Sequence, residues 1–431
     1  MFGFSHVKFI SQMANVIADH GHNVTLFQPY HIAMKNTEGL IKNKNIEVLN
    51  YFPNHYDELL KSEVPTFPIF WDSQIMNNPI LFAFMMAKTL GKEFERTAEQ
   101  VLKDTDLHEK LKSKKFDVVL VETFELSGFY LAHLIDVPAI PIMSAVRFPV
   151  FDNLFGQPSQ VGYIPQTIGM ERMAEYQFNR IEKFVGKPVP HWKELIKQSP
   201  VYITNSNPYL DFAVPTTATI VHAGGITIDL KKLKNVGPLP EEYEKILQER
   251  DSTVLISFGS VIRSFQMPDS FKAGLIKMFE SLPEVTFIWK YEKDDVEFQK
   301  RLPKNVHLKK WVPQPALLSD ERLKDGEKMT RIMRDLVSNP KYNEKAQELL
   351  SVLSNQPIDP KFNFMKHLEF AIEFPNLRSQ VPAINHVGIV AHYYLDVLGF
   401  LVLTGSLLTY LTLRVVSKVL RRFVVKKTKN D

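Results

Sequence analysis

The stretch FDVVLVETFELSGFYLAHLIDVPAIPIM, Phe116–Met143, decides the fold. Its first apolar run, Phe116–Val121, has the length and composition of a buried strand, and Ala139–Met143 is a second such run. Between them, after a short turn, Ser127–Leu134 is predicted as a helix. A strand, a helix and a strand in this order predict parallel strands of a doubly wound α/β sheet.

The alternation of strand and helix continues on both sides of this stretch. Upstream, Val7–Asp19 carries apolar residues at helical spacing, and Asn23–Phe27 is predicted as a short strand. Downstream, Lys231–Pro240 is polar, contains Gly and Pro, and is typical of a linker. Further strands are predicted at Val201–Asn205, Thr219–Val221, Thr253–Phe258, Val285–Lys290 and Val306–Leu308, and a further helix at Asp269–Leu282.

The composition narrows the class of protein. A chain of 431 residues is too long for one ordinary core and favours two globular domains with a further segment. The absence of cysteine excludes disulfides, thiolate catalysis and cysteine-based metal sites. The net charge of +4 is concentrated in Arg414–Asp431, which holds seven Lys or Arg and one Asp. The remainder is slightly acidic and shows no nucleic-acid footprint.

The basic tail follows an apolar segment. Val397–Leu413 contains 17 residues without a charge, about 25 Å of helix, which suits a membrane span and also a buried core helix. We favour the span because the basic cluster follows it directly. The position of these Lys and Arg residues predicts a cytosolic tail and a body that faces the lumen or exterior. Met1–Ile10 lacks a signal-peptide pattern, so either the native start lies further upstream, which we favour, or the body stays in the cytosol against the charge bias.

His6 and Glu122 are the candidate catalytic pair. His6 lies at the start of the first helix and Glu122 at the end of a strand, where α/β sheets place their ligands. A carboxylate bound to one imidazole nitrogen would leave the other to accept a proton from a substrate hydroxyl. The alternatives are a histidine that is structural or merely exposed and a Glu that caps the next helix. Ile69–Met86, rich in Phe, Met and Ile, is either core or an apolar acceptor pocket.

A second group of candidates follows the strands of the second unit. After Phe258, Gly259 and Ser260 form a turn whose N–H groups and hydroxyl suit a phosphate, although such turns are common. Trp311 lies in a proline-rich turn with Gln314. Its indole is either a stacking face beside an amide that reads a base edge, or a packed side chain.

Together these motifs resemble those of the animal UDP-glucuronosyltransferases. The resemblance covers nearly the whole chain and includes GFSHVKFISQMANVIADHGHNVTLF, FDVVLVE, NVGPLP, VLISFGS, WVPQPALL, NQPIDP and LRSQVPAINHVGIVAHYYLDVL. It implies α/β architecture of the GT-B glycosyltransferase type, with two Rossmann-like domains and a C-terminal transmembrane helix. The expected boundaries are 1–230 for the acceptor-binding domain, 231–386 for the UDP-sugar domain, 387–416 for the transmembrane helix and 417–431 for the basic cytoplasmic tail.

The resemblance also implies a reaction. His6 matches the catalytic base and Glu122 the acid that orients it, although Asp is more usual there. The base would deprotonate a hydroxyl or similar group on a small lipophilic acceptor. That group would attack the anomeric carbon of UDP-glucuronate or UDP-glucose with inversion. Neither a metal nor another cofactor is expected.

The donor residues and the location follow from the same resemblance. Ser260, with Gly259 in the same turn, would lie near the diphosphate. Trp311 would stack on uracil and Gln314 would bond to the nucleotide. The protein would be anchored in the endoplasmic reticulum membrane by one span, act in detoxification, and form homo- or hetero-oligomers with related transferases.

One part of the family pattern is absent from this chain. After WVPQPALL the family has a strand and a donor signature with a His-Gly-Gly-like turn, a Glu and an Asp-Gln pair, whereas Leu323 is followed here by Lys324. We therefore expect an incomplete second domain, with fewer strands than the five or so of a mean sheet. Two functions are compatible with this gap: a transferase known through a shortened chain, or a catalytically inactive, membrane-anchored binding partner of full-length relatives.

Overall fold

Parallel strands connected by helices form the first part of the chain. The structure, a computed structural model, describes residues 4–31, 39–61, 71–72, 75, 78–157, 169–228, 239–259, 262–312, 340–375, 377, 388–392 and 394–427. The elements of the first part are α1 (Phe4–Asp19), β1 (Val24–Pro29), β2 (Ile46–Tyr51), α2 (Tyr56–Lys61), α3 (Pro79–Lys103), α4 (Thr105–Ser113), β3 (Val119–Glu122), α5 (Ser127–Leu134), β4 (Ala139–Met143), α6 (Pro149–Asp152), α7 (Met170–Val185), α8 (Trp192–Ile196), β5 (Tyr202–Thr204) and β6 (Ile220–His222).

These strands form two groups, both parallel. β1 pairs with β2, and β3, β4, β5 and β6 form a four-stranded sheet in chain order. The helix at Ser127–Leu134 and the strand at Ala139–Met143 have the predicted bounds, as α5 and β4. β3 begins at Val119 rather than at Phe116, because its pairing with β4 begins only there, where Val119 lies opposite Ala139, the first residue of β4.

A second parallel sheet follows. Its part of the chain contains α9 (Glu241–Leu247), β7 (Ser252–Ile256), α10 (Asp269–Glu280), β8 (Val285–Lys290), α11 (Val296–Lys300), β9 (Val306–Lys309), α12 (Pro340–Ser354) and α13 (Pro360–Glu373). β8 lies between β7 and β9, and all of its residues are buried. These are the three strands that the sequence predicts for this part. Most of the predicted linker lies outside the described residues.

α13 returns to the first sheet. Asp359 caps this helix, because its carboxylate accepts hydrogen bonds from the N–H groups of Lys361 and Phe362. Its buried side chains Phe364, Met365, Leu368 and Ala371 form one apolar cluster with Phe9 and Met13 of α1 and with residues of β4, β5 and β6. The expected domain of residues 231–386 includes this helix, yet its apolar side completes the core of the first sheet. α12, by contrast, leaves Leu349, Leu350 and Val352 exposed.

The last part of the chain forms a unit of its own. The chain divides into Met1–Arg378 and Ser379–Asp431. The second unit contains α14 (Ile389–His392) and α15 (Leu395–Lys427). Within α15, Leu395–Leu420 is long and apolar enough to cross a membrane, and no part of its apolar stretch is buried. This exposure agrees with a span and not with the alternative of a buried core helix.

α13 offers a matched pair of phenylalanines to test its packing. Phe364 is fully buried, whereas Phe362, on the same helix, is 57% exposed. We expect Phe364→Ala to lower the free energy of unfolding by about 3–5 kcal/mol, because the lost ring leaves a cavity. Phe362→Ala should change it by no more than about 0.5 kcal/mol. Denaturant unfolding of both variants in detergent measures the difference, and equal losses would show that α13 does not pack as described.

Candidate functional site

His6 is held at the carboxyl edge of the first sheet. It lies in the first turn of α1, and its Nδ1 is 2.5 Å from the hydroxyl of Ser144 and 3.6 Å from Oε2 of Glu122. The side chains of His6 and Glu122 are each 14% exposed. The backbone N–H of Ser144 donates to Glu122 Oε2 at 3.1 Å. The predicted pair therefore comes together, with Ser144 as a third member that links its two partners.

The register of the strands explains why these groups meet. Glu122 is the last residue of β3, Ser144 follows the last residue of β4, and Asn205 follows the last residue of β5. Because neighbouring parallel strands end at the same edge, the three side chains form a row. The Asn205 amide donates to the Ser144 carbonyl at 2.8 Å and fixes the end of β4 against β5.

An aromatic ring packs against the imidazole, and a second ring packs behind the first. Phe124 meets the His6 ring edge to face at a centroid distance of 4.9 Å. Phe148, buried, meets Phe124 in the same manner at 5.8 Å. Ser144 and Phe148 lie on one short loop between β4 and α6, so this loop supplies both the polar partner of His6 and part of its apolar wall.

The predicted donor turn lies after β7. Gly259 has a φ of 86°, a left-handed conformation that side chains other than glycine rarely adopt. Its carbonyl accepts a hydrogen bond from the Lys290 ammonium at 2.7 Å, and the same ammonium pairs with Glu292 at 3.0 Å. Lys290 is 5% exposed, and its ammonium lies 6.0 Å from the ring centre of Trp311. One buried cation thus connects the Gly259 turn to the predicted stacking residue.

Trp311 also connects the two parts of the candidate site. Its ring is 49% exposed, and Phe4 approaches it edge to face at 5.8 Å. Phe4 opens α1, two residues before His6. The first turn of α1 therefore carries the candidate base and also contacts the candidate nucleotide platform. Ser260 and Gln314 lie outside the described residues, and their roles stay predictions.

The described residues of the apolar stretch Ile69–Met86 do not form a uniform core, and residues 69–70, 73–74 and 76–77 lie outside the described part of the chain. Ile80 and Phe84, in the first turns of α3, are 69% and 49% exposed. Trp71 packs instead against the apolar cluster of the second sheet, and its indole N–H donates to the Arg263 carbonyl at 3.0 Å. Its ring lies 5.1 Å from that of Phe258, beside the Gly259 turn.

Sequence reasoning missed Ser144, Asn205 and Lys290. Each follows or ends a buried strand at a carboxyl edge, which is the signal that singled out Glu122. The signal is weak for a lone Ser, Asn or Lys, because such residues are common in loops. Among the described residues, no three His, Cys, Asp or Glu side chains are close enough together to hold a metal ion.

Comparison with known proteins identifies the family. The profile described as "UDP-glucoronosyl and UDP-glucosyl transferase" matches residues 2–187 and 170–325. The chain belongs to this family. It is 26% identical over 341 residues to the "Putative UDP-glucuronosyltransferase ugt-55" of Caenorhabditis elegans, covering 74% of this chain and 65% of that protein. It is 22% identical over 521 residues to UDP-glucuronosyltransferase 2B16 of Oryctolagus cuniculus, covering 99% and 95%.

A solved structure agrees with the family fold. Os79 of O. sativa, in complex with UDP, is 12% identical, covers 84% of this chain and 97% of its own, and has a TM-score of 0.51. The predicted GT-B type α/β fold with parallel sheets is thereby confirmed. The chain spans only 63% to 65% of the length of the first family relatives that it matches.

The loop that follows Ser144 leads to a carboxyl group with a shifted pKa. Asp152 ends α6 and is 7% exposed. Burial raises the pKa of its carboxyl to about 7, and the Arg147 guanidinium, 3.8 Å away, opposes this shift only in part. The folded protein therefore holds a proton that the unfolded chain, with its ordinary pKa of 3.8, has lost. The cost of ionising Asp152 lowers stability as the pH rises toward 7.

Replacing Asp152 should remove this pH dependence. The Asn side chain cannot ionise, so we expect Asp152→Asn to be more stable than the unaltered protein at pH 8. This gain in stability should be larger than the gain at pH 5 by more than about 1 kcal/mol. Thermal unfolding at the two pH values measures this, with the exposed Asp117→Asn as the control. An advantage that is the same at both pH values would contradict a buried, protonated Asp152.

Proposed function

We propose that this chain has the active site of a UDP-glycosyltransferase that moves glucuronate or glucose from a UDP-sugar to a small lipophilic acceptor. The observation that carries the proposal is that the first turn of α1 contacts both the catalytic candidates and the candidate nucleotide platform. Through His6 it reaches Ser144 and Glu122, and through Phe4 it reaches Trp311. A base on a helical turn that also contacts the nucleotide platform suits the transfer of a group from a nucleotide to a nearby hydroxyl.

His6 is the base in this proposal. Its Nδ1 faces Ser144 and Glu122, so we assign Nε2 to the acceptor hydroxyl. The hydroxyl proton passes to Nε2 as the acceptor oxygen forms a bond to the anomeric carbon. The bond from that carbon to the diphosphate breaks on the opposite face, and UDP leaves with the electron pair. Glu122 stabilises the imidazolium that forms, and the Phe124 ring limits access of water.

The donor side is assigned from the Gly259 turn. Its backbone and Ser260 would hold the diphosphate, Trp311 would stack on the uracil, and Gln314 would bond to the base. The complex of Os79 with UDP supports a UDP nucleotide, and the names of the curated relatives favour glucuronate. The site is proposed to use no metal or other cofactor, since the imidazole and carboxylate suffice for proton transfer.

We propose that the donor domain of this chain is shortened at Leu323–Lys324. The match to the family profile stops at residue 325, close to this junction. The alignment with the rabbit relative runs over 521 positions, at least 90 more than the 431 residues of this chain. These additional alignment positions are numerous enough to contain the donor signature that this chain lacks. Turnover should then be low, because the leaving diphosphate lacks donors that can each contribute about 3 kcal/mol.

The location is proposed from α15. One span would anchor the protein in the endoplasmic reticulum membrane, with the body in the lumen and the basic tail in the cytosol. The asymmetry of Lys and Arg around the uncharged stretch Val397–Leu413 supports this orientation. Lipophilic acceptors concentrate in such a membrane, which fits a role in detoxification. We also propose that the protein forms homo- or hetero-oligomers with related transferases.

The test of the base is the variant His6→Ala. We expect it to lower transfer to a phenol from UDP-glucuronate or UDP-glucose by about 10²–10⁴-fold, because the acceptor proton loses its receiver. His20→Ala is the control, since His20 lies exposed just after the end of the same helix and its ring bonds locally to the Val16 carbonyl. Glycoside formation and UDP release are measured together. Unchanged turnover would remove His6 as the base.

Ser144→Ala tests the link between base and carboxylate. We expect about a tenfold lower kcat, equivalent to about 1.4 kcal/mol, because the imidazole loses the hydroxyl that orients it. The acid limb of the pH profile should move as well, which a purely structural role would not cause. Ser144→Thr keeps the hydroxyl and should restore the profile. If the unaltered chain turns over neither sugar, the inactive binding partner becomes the better function.

A further inference from the structure

α15 is longer than the hydrocarbon core of a membrane. Its 33 residues correspond to about 50 Å of helix, whereas the core is about 30 Å thick. The stretch without charges ends at Leu413. The part that must extend beyond the hydrocarbon is therefore Arg414–Lys427, here called the basic extension. It holds six Lys or Arg and no acidic residue.

The basic residues of this extension recur on one side of the helix. Arg414, Lys418, Arg421 and Arg422 are spaced by four, three and one residues, positions that share a face. Tyr410 lies one turn before Arg414, and the Arg414 guanidinium is 5.4 Å from the centre of its ring. A tyrosine beside a cation is typical of the level of the lipid headgroups. The basic face thus begins where the hydrocarbon ends.

Apolar residues occupy the other side of the same segment. Val416, Val419, Leu420 and Phe423 follow the helical spacing of three, four and seven residues. Val416, Val419 and Leu420 are between 45% and 59% exposed. Lys427, one turn after Phe423, falls on the same side, so this side is apolar only as far as Phe423. Because α15 continues without a break from the apolar stretch, the extension would leave the membrane along the axis of the helix, with its basic residues at the level of the headgroups.

We propose that the basic extension binds anionic phospholipid headgroups where α15 leaves the hydrocarbon. The proposal rests on the membrane span proposed above and is independent of the transferase activity. The charge of the extension favours this partner. It holds six Lys or Arg and no acidic residue, and such a segment attracts anionic lipid. A second copy of the extension would repel the first, since both carry the same charge.

Lipid selectivity of the full-length chain tests this proposal. The chain is reconstituted in vesicles of phosphatidylcholine and phosphatidylserine, and spin-labelled forms of the two lipids report which one is held at the protein. We expect a preference for phosphatidylserine of at least about fivefold at low salt, the contribution of roughly one basic residue at an anionic surface. The variant with Arg414, Lys418, Arg421 and Arg422 all changed to Gln should lose most of it.

Matched controls separate the possible outcomes. A variant with Arg414→Lys, Arg421→Lys and Arg422→Lys keeps the charge and should keep the preference, which high salt should weaken. An equal preference in the Gln variant overturns the proposal. So does a loss of self-association in that variant without a loss of selectivity, which would assign the face to a second copy. Release of the unaltered chain by alkaline carbonate would overturn the span, and the lipid proposal with it.

Discussion

The hydrogen bond between the Ser144 hydroxyl and the His6 imidazole requires the start of one helix and the ends of two strands to lie at the same place. α1 must begin where β3 and β4 finish, and parallel pairing of the two strands brings Glu122 and Ser144 to the same edge. The packing of α13 against α1 supports this placement from the far end of the chain. The candidate chemistry therefore depends on contacts between residues that are more than 350 positions apart in sequence.

Two aromatic contacts connect the two sheets around this bond. Phe4 reaches Trp311 from the start of α1, and Trp71 reaches Phe258 and Arg263 from the segment before α3. Both contacts end beside the Gly259 turn, where Lys290 binds the backbone. Within the part of the chain that the structure describes, each of these contacts is made by a single side chain of the first part with few polar groups. A hinge between acceptor and donor sides is compatible with such contacts.

The sequence predicted most of the strands but not the polar contacts at their ends. Largely apolar runs such as Ala139–Met143 and Val285–Lys290 predict strands, because burial on both faces favours apolar residues at most positions. Likewise His6 and Glu122 could be paired, since both stand at predicted element ends. Ser144 could not be found, because its role depends on the register of β3 with β4, which no local pattern encodes. The packing of α13 against the first sheet could not be predicted either, because the spacing of its apolar residues does not indicate which sheet the helix covers.

The proposed loss of the donor signature would affect the rate of catalysis more than the binding of the nucleotide. In the proposed site, Trp311 would face the uracil, a part of the nucleotide that changes little during the reaction. The absent signature would act on the diphosphate, where charge develops as the bond to the sugar breaks. Interactions made equally with substrate and transition state increase binding without increasing the rate of the chemical step. A chain with an intact base and nucleotide platform, but without the donors for the leaving group, is thus expected to keep affinity for the UDP part of the donor while losing most of its turnover.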